Sequence, residues 1–117
     1  MIISFAWTTP AFLARRKTRT RREWSDDYAK RFHVGDIVQA WDHVPRVKGA
    51  KKIGELKITG LKKESISLMP DGDFEKEGFA YLAENSYSFL DQEPHDYFDK
   101  WKSAGGDYWV IDFVRVG

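Results

Sequence analysis

The chain has no cysteine among its 117 residues, which removes disulfides, thiolate zinc sites, iron–sulfur clusters and a cysteine nucleophile together. The same absence fits a reducing, cytoplasmic setting. No apolar run is long enough for a membrane span. The opening stretch Met1 to Trp7 is broken by Ser4 and lacks a basic leader, so neither a signal peptide nor an anchor is expected. The three histidines, His33, His43 and His95, stand far apart without ligand spacing, and no metal site is expected. No phosphate-binding glycine loop, dinucleotide glycine pattern or Gly-x-Ser-x-Gly elbow occurs, and no cofactor is expected. Proline is scarce: Pro45 falls in a loop, and Pro10, Pro70 and Pro94 stand where helices begin.

What remains is a single domain, residues 1–117, rich in large apolar side chains. Hydrophobic residues make up 42% and aromatics 15%, enough to offset the entropy lost on folding. The net charge of +1 hides a dipolar chain. Residues 1–66 carry 15 basic and 7 acidic side chains, whereas residues 67–117 carry 4 and 11. Six cations, Arg15, Arg16, Lys17, Arg19, Arg21 and Arg22, crowd into eight residues. Together with Arg46 and Lys48 of the 42–51 loop, they form the expected binding surface for RNA phosphates; the alternative is a solvated face.

Local patterns predict a strand over 2–7 and a helix from Thr9-Pro10 to about Lys17, followed by extended backbone through Thr18-Arg19-Thr20-Arg21. Ser25-Asp26-Asp27 caps a short helix. Strands follow at 37–41, 52–59 and 65–68. A helix from Pro70 is stopped near Gly78, residues 85–95 form a loop, and a further helix runs to Gly105-Gly106. Tyr108 to Val116, apolar on both faces, predicts a central strand. The sum is an α+β domain around a small, partly closed mixed β-barrel of five or six strands with short flanking helices.

Lys17 and Thr20 are one helical turn apart, and Thr20 and Arg22 share a strand face; a junction between them would aim an ammonium, a hydroxyl and a guanidinium into one hollow. Such a group can receive a phosphate, a carbonyl oxygen or a base edge. Trp7, just ahead of the helix, is a candidate platform for a stacked base.

Read from residue 15, Arg15-Arg16-Lys17-Thr18-Arg19-Thr20-Arg21-Arg22 resembles the signature Gly-x-Lys-x-x-(Thr/Glu)-x-Arg of the ASCH domain family, a relative of the PUA fold. Lys17, Thr20 and Arg22 match, while Arg15 fills the glycine position. The strand-then-helix entry, Gly35-Asp36, Glu77-Gly78-Phe79 and the strand Trp109 to Phe113 look like the family too. The resemblance implies a small barrel whose cleft binds RNA, a nucleotide or a modified base. It also implies a second activity, hydrolysis of the acetyl amide of N4-acetylcytidine by a Lys/Thr/Glu set. Carried over, that set is Lys17, Thr20 and Glu77: Thr20 attacks, Lys17 takes its proton, Glu77 serves the leaving amine or a water, and Arg22 steadies negative charge. On a helical wheel Glu75 lies nearer the apolar stripe, so Glu75 competes with Glu77. A reading from another class is an adaptor that uses the acidic C-terminal half.

Overall fold

A computed structural model describes residues 1–117. Five strands, β1 (Ile2–Ser4), β2 (Arg19–Arg22), β3 (Ile37–Trp41), β4 (Lys52–Ser65) and β5 (Asp107–Arg115), form one sheet in the order β1-β3-β4-β5-β2. β1 runs parallel to β3, and every other pairing is antiparallel. Five short helices accompany them: α1 (Thr9–Leu13), α2 (Asp26–Ala29), α3 (Asp73–Lys76), α4 (Phe79–Glu84) and α5 (Pro94–Ala104). The α+β class expected from the sequence is present.

The sheet is open, with β1 and β2 as unpaired edges. It nevertheless curls. Phe5, just beyond β1, stacks on Phe12 at 4.7 Å and leans on Phe113 of β5 at 5.7 Å, while the Arg22 guanidinium of β2 lies 5.5 Å from the Phe5 ring. Register shifts at Ala40/Trp41 and at Ile58/Gly60 supply the bend, as an extra residue in one strand does. No hydrogen-bonded ladder joins the two edges, because the strand expected over 2–7 ends at Ser4 and the chain turns into a 3-10 segment, Ala6–Thr8.

Two apolar clusters hold the fold. One lies inside the curl and joins Ile3, Phe5, Phe12, Phe32, Val38, Leu56, Ile58, Ile111 and Phe113. The other, around Ala11, Ile66, Met69, Phe79, Leu82 and Phe98, docks the helices. β4 runs for 14 residues, past its expected end at Thr59. Gly60 follows the register shift, and a Cβ there would stand 2.9 Å from an Asp112 carboxylate oxygen. The expected strand 65–68 is instead a 3-10 turn, Ile66–Leu68. β5 lies between β4 and β2, the central position expected of it.

The end of α1 aims the basic segment. Arg15 adopts φ +62°, its N–H donates to the Phe12 carbonyl at 3.0 Å, and the Arg16 N–H donates to the Ala11 carbonyl at 3.0 Å. This is a helix-terminating turn that glycine favours, because a Cβ is strained in that conformation. Arg15→Gly is therefore expected to stabilise the protein by about 1 kcal/mol, read as a rise in the urea midpoint with unchanged m-value. An unchanged or lower midpoint would contradict this account of the turn.

Candidate functional site

After the α1 turn, Thr18 is tied on both sides. Its N–H donates to the Lys76 carbonyl at 2.8 Å, and its carbonyl accepts from the Phe113 N–H at 3.0 Å. The helix expected to reach about Lys17 thus ends at Leu13, five residues link it to β2, and Lys17 and Thr20 both face one cleft of about 240 Å³ at the open seam of the sheet. Arg22 and Glu77 line the same cleft, so the four groups are brought together. Trp7, Phe79, Tyr97 and Trp101 form its apolar wall.

Lys17 and Glu77 are buried, with side chains 3% and 2% exposed. Lys17 Nζ donates to the Glu77 backbone carbonyl at 2.6 Å and to Glu77 Oε1 at 3.1 Å. The other carboxylate oxygen of Glu77 accepts from Arg21 Nη1 at 2.7 Å. Burial pushes the Lys17 ammonium below its ordinary 10.5, against the pull of Glu77 and with help from the positive charges of Arg22 and Arg21. Arg22 Nε donates to Thr20 Oγ1 at 3.2 Å, a cross-residue contact that the strand period places on one face. Burial draws the Arg22 guanidinium down to about 10, so it stays charged at neutral pH. That hydrogen bond uses Thr20 Oγ1 as an acceptor and leaves its proton available to a base.

Gly78 sets the Glu77 side of the site. It breaks α3 from α4 at φ +93°, and a Cβ there would stand 2.6 Å from Ala11 Cβ and 3.2 Å from Lys17 Cβ. The backbone thus passes directly over Lys17, which brings the Glu77 carbonyl within reach of Nζ. Glu75, the competing carboxylate, lies outside the cleft and pairs with Arg16 at 2.6 Å.

The rest of the octet is not a free basic face. Arg19 donates through Nε to Asp112 at 2.6 Å and through Nη1 to both oxygens of Asp73 at 3.0 and 3.1 Å. Arg21, whose side chain is wholly buried, adds contacts to Asp73 at 2.6 Å and to Glu64 at 3.3 Å. For Asp73, burial opposes ionisation, but Arg21 and Arg19 outweigh it and hold the carboxyl below 3.8. Arg16 engages Glu75 and Glu84. Arg19 and Arg21, expected to receive phosphates, instead spend their donors on carboxylates from distant parts of the chain, because a buried guanidinium is tolerated only when paired. Arg15, Arg46 and Lys48 are exposed and stand outside the cleft lining.

Trp7 lines the cleft, but its indole is packed against Phe79 at 5.5 Å, Phe89 at 5.3 Å and Tyr97 at 5.2 Å. Of the apolar wall, Phe79, Tyr97 and Trp101 were not among the sequence-derived site residues. Tyr97 and Trp101 carried a signal, since their spacing of four puts them on one helix face, but the same spacing describes any core-facing helix. Comparison with protein-family models, with curated proteins and with solved structures returns no match.

Proposed function

We propose that the cleft is an ASCH-type site that binds one nucleobase-sized ligand, and that the chain is not a tracker of RNA phosphates. The observation that carries this reading is the convergence of Lys17, Thr20, Arg22 and Glu77 opposite an aromatic wall in a hollow of about 240 Å³. Sites for drug-sized ligands hold about 300–1,000 Å³, so this one suits a single ring with its substituent. The polar end offers a hydroxyl and two cations to carbonyl oxygens, and the wall takes the flat ring. Two further features support the family resemblance. Arg15 holds the left-handed conformation that the signature's glycine would adopt freely, and the open five-stranded sheet curls enough to bring Phe5, beyond β1, against Arg22 of β2.

A second reading, amide hydrolysis, draws on the depressed ammonium of Lys17 beside Thr20. In its amine form Lys17 accepts the Thr20 proton as Oγ1 bonds to the acyl carbon of N4-acetylcytidine. The Arg22 guanidinium faces the resulting oxyanion, and Glu77 stabilises the new ammonium. Collapse breaks the carbon–nitrogen bond, the leaving amine takes the proton, and water then releases acetate from Thr20.

The two readings share one experiment. Cytidine and N4-acetylcytidine are titrated into the wild type, Thr20→Val and Lys17→Met by calorimetry, with cytidine release followed by chromatography. Wild-type binding should change little between 50 and 300 mM salt, because the nucleosides carry no charge and release no counterions. Both substitutions should weaken it at least tenfold. Hydrolysis, where it occurs, should accelerate with pH as Lys17 loses its proton, and level off below the ordinary lysine value. Absence of nucleoside binding together with a steeply salt-dependent affinity for single-stranded RNA would overturn the proposal.

A further inference from the structure

Between α4 and α5 the chain forms a strap, residues 85–93, whose only large apolar side chain that is even half-buried is Phe89. Phe89 lies nearly parallel to Trp7, with ring centroids 5.3 Å apart and planes inclined by 19°, and meets Tyr97 edge-on at 6.0 Å. Both partners line the cleft. Phe89 therefore extends the aromatic wall from outside, occupying the position a second flat ring would take.

Three independent features leave the strap weakly held. Phe89 and Gln92 exchange backbone hydrogen bonds across a two-residue turn, Leu90-Asp91, in which both residues have positive φ, +50° and +62°, without a glycine. Turns of that hand favour Gly, Asn or Asp, so Asp91 suits its place and Leu90 does not. Ser86, at the other end, is also left-handed at +58°. Leu90 is 81% exposed and contributes little packing. Beside the strap is a second hollow, about 630 Å³, lined by Tyr87, Asp91, Glu93 and His95 among others, so one side of the strap borders space and not core.

We infer that Phe89 is a displaceable plug: it holds a stacking place on Trp7 for a planar, unsaturated ring, and the 85–93 strap swings away when such a ring takes that place. This deepens the reading of the cleft as a site for flat ligands. It adds that the site lengthens on demand, accepting a second ring attached to the first, such as an aromatic acyl group, with Phe89 as the residue that sets the size limit.

Indole, a flat ring without sugar or acyl group, tests the plug directly. Phe89→Ala should bind indole at least tenfold more tightly than the wild type, since no side chain must be expelled. In the wild type saturated with indole, the nuclear Overhauser contacts between the Phe89 and Trp7 rings should disappear as contacts from indole to Trp7 arise. Phe89→Leu keeps apolar bulk without a flat ring and should shift the affinity in the same direction, which preserves the test if the alanine variant fails to fold. Equal indole affinity in all three proteins, or Phe89–Trp7 contacts that survive saturation, would overturn the inference. Cytidine titration of Thr20→Val reads the polar end independently, so loss of one proposal is distinguishable from loss of the other.

Discussion

Arg21→Met is expected to lose about 3–5 kcal/mol of stability at pH 7, measured by urea denaturation, which is a large share of what a domain of this size has. The reason is asymmetry. Methionine fills much of the volume, but Asp73 and Glu77, each 2% exposed, lose the donors Nη1 and Nη2 and are left charged inside the protein. The pH dependence separates this cause from simple loss of packing. In the wild type, the Asp73 carboxyl is held below 3.8, so its contribution is present above that value and is lost as the pH falls through the folded value. In the variant Asp73 keeps Arg19 alone, so its carboxyl takes up a proton more readily in the folded state than in the wild type, and less is lost as the pH falls. The gap between the two proteins should therefore be widest near neutrality and narrow in acid. A gap of constant size from pH 7 to 4 would assign the loss to packing alone.

Gly78→Ala is expected to lose about 2–5 kcal/mol, the sum of a left-handed penalty of about 1–2 and an overpacking penalty of about 1–3 kcal/mol. The added methyl group would stand 2.6 Å from Ala11 Cβ, and α1 or the Glu77 peptide must shift. Ala11→Gly removes the steric partner without changing the torsion, so the double variant should recover only part of the loss. Full recovery would mean that φ +93° carries no penalty here, and no recovery would mean that the Ala11 contact is not what limits the site. Because the same peptide supplies the carbonyl that accepts from Lys17, the single variant should also weaken cytidine binding.

Much of this arrangement was legible beforehand, and the parts that were not share a physical cause. The strand through Arg19 to Arg22 followed from Thr-Arg alternation, although the helix before it ends at Leu13 and not near Lys17, and the central place of β5 followed from apolar residues on both its faces. Local patterns carried those features. Glu77 was named from a triplet resemblance, while the helical wheel favoured Glu75; the wheel assumed one continuous helix, and Gly78 breaks it into α3 and α4. The strand expected to stop at Thr59 instead shifts register there and runs on to Ser65. The fate of Arg19 and Arg21 was hidden altogether. A run of cations looks the same whether water or carboxylates surround it, and Asp73 and Asp112 lie 54 and 93 residues away from Arg19. Closure of the barrel was likewise undecidable from pattern, since it depends on where the first strand stops.

The pairing of β2 with β5 also governs the order of events when the chain is made. β2 is synthesised early, but its hydrogen-bonding neighbour is the last strand, and two of its counter-ions, Asp73 and Asp112, lie in the later half. Without β5, residues 1–66 carry 15 basic and 7 acidic side chains and have no completed sheet. Completion of the sheet is thus gated by residues 107–115, which bridge β2 to β4.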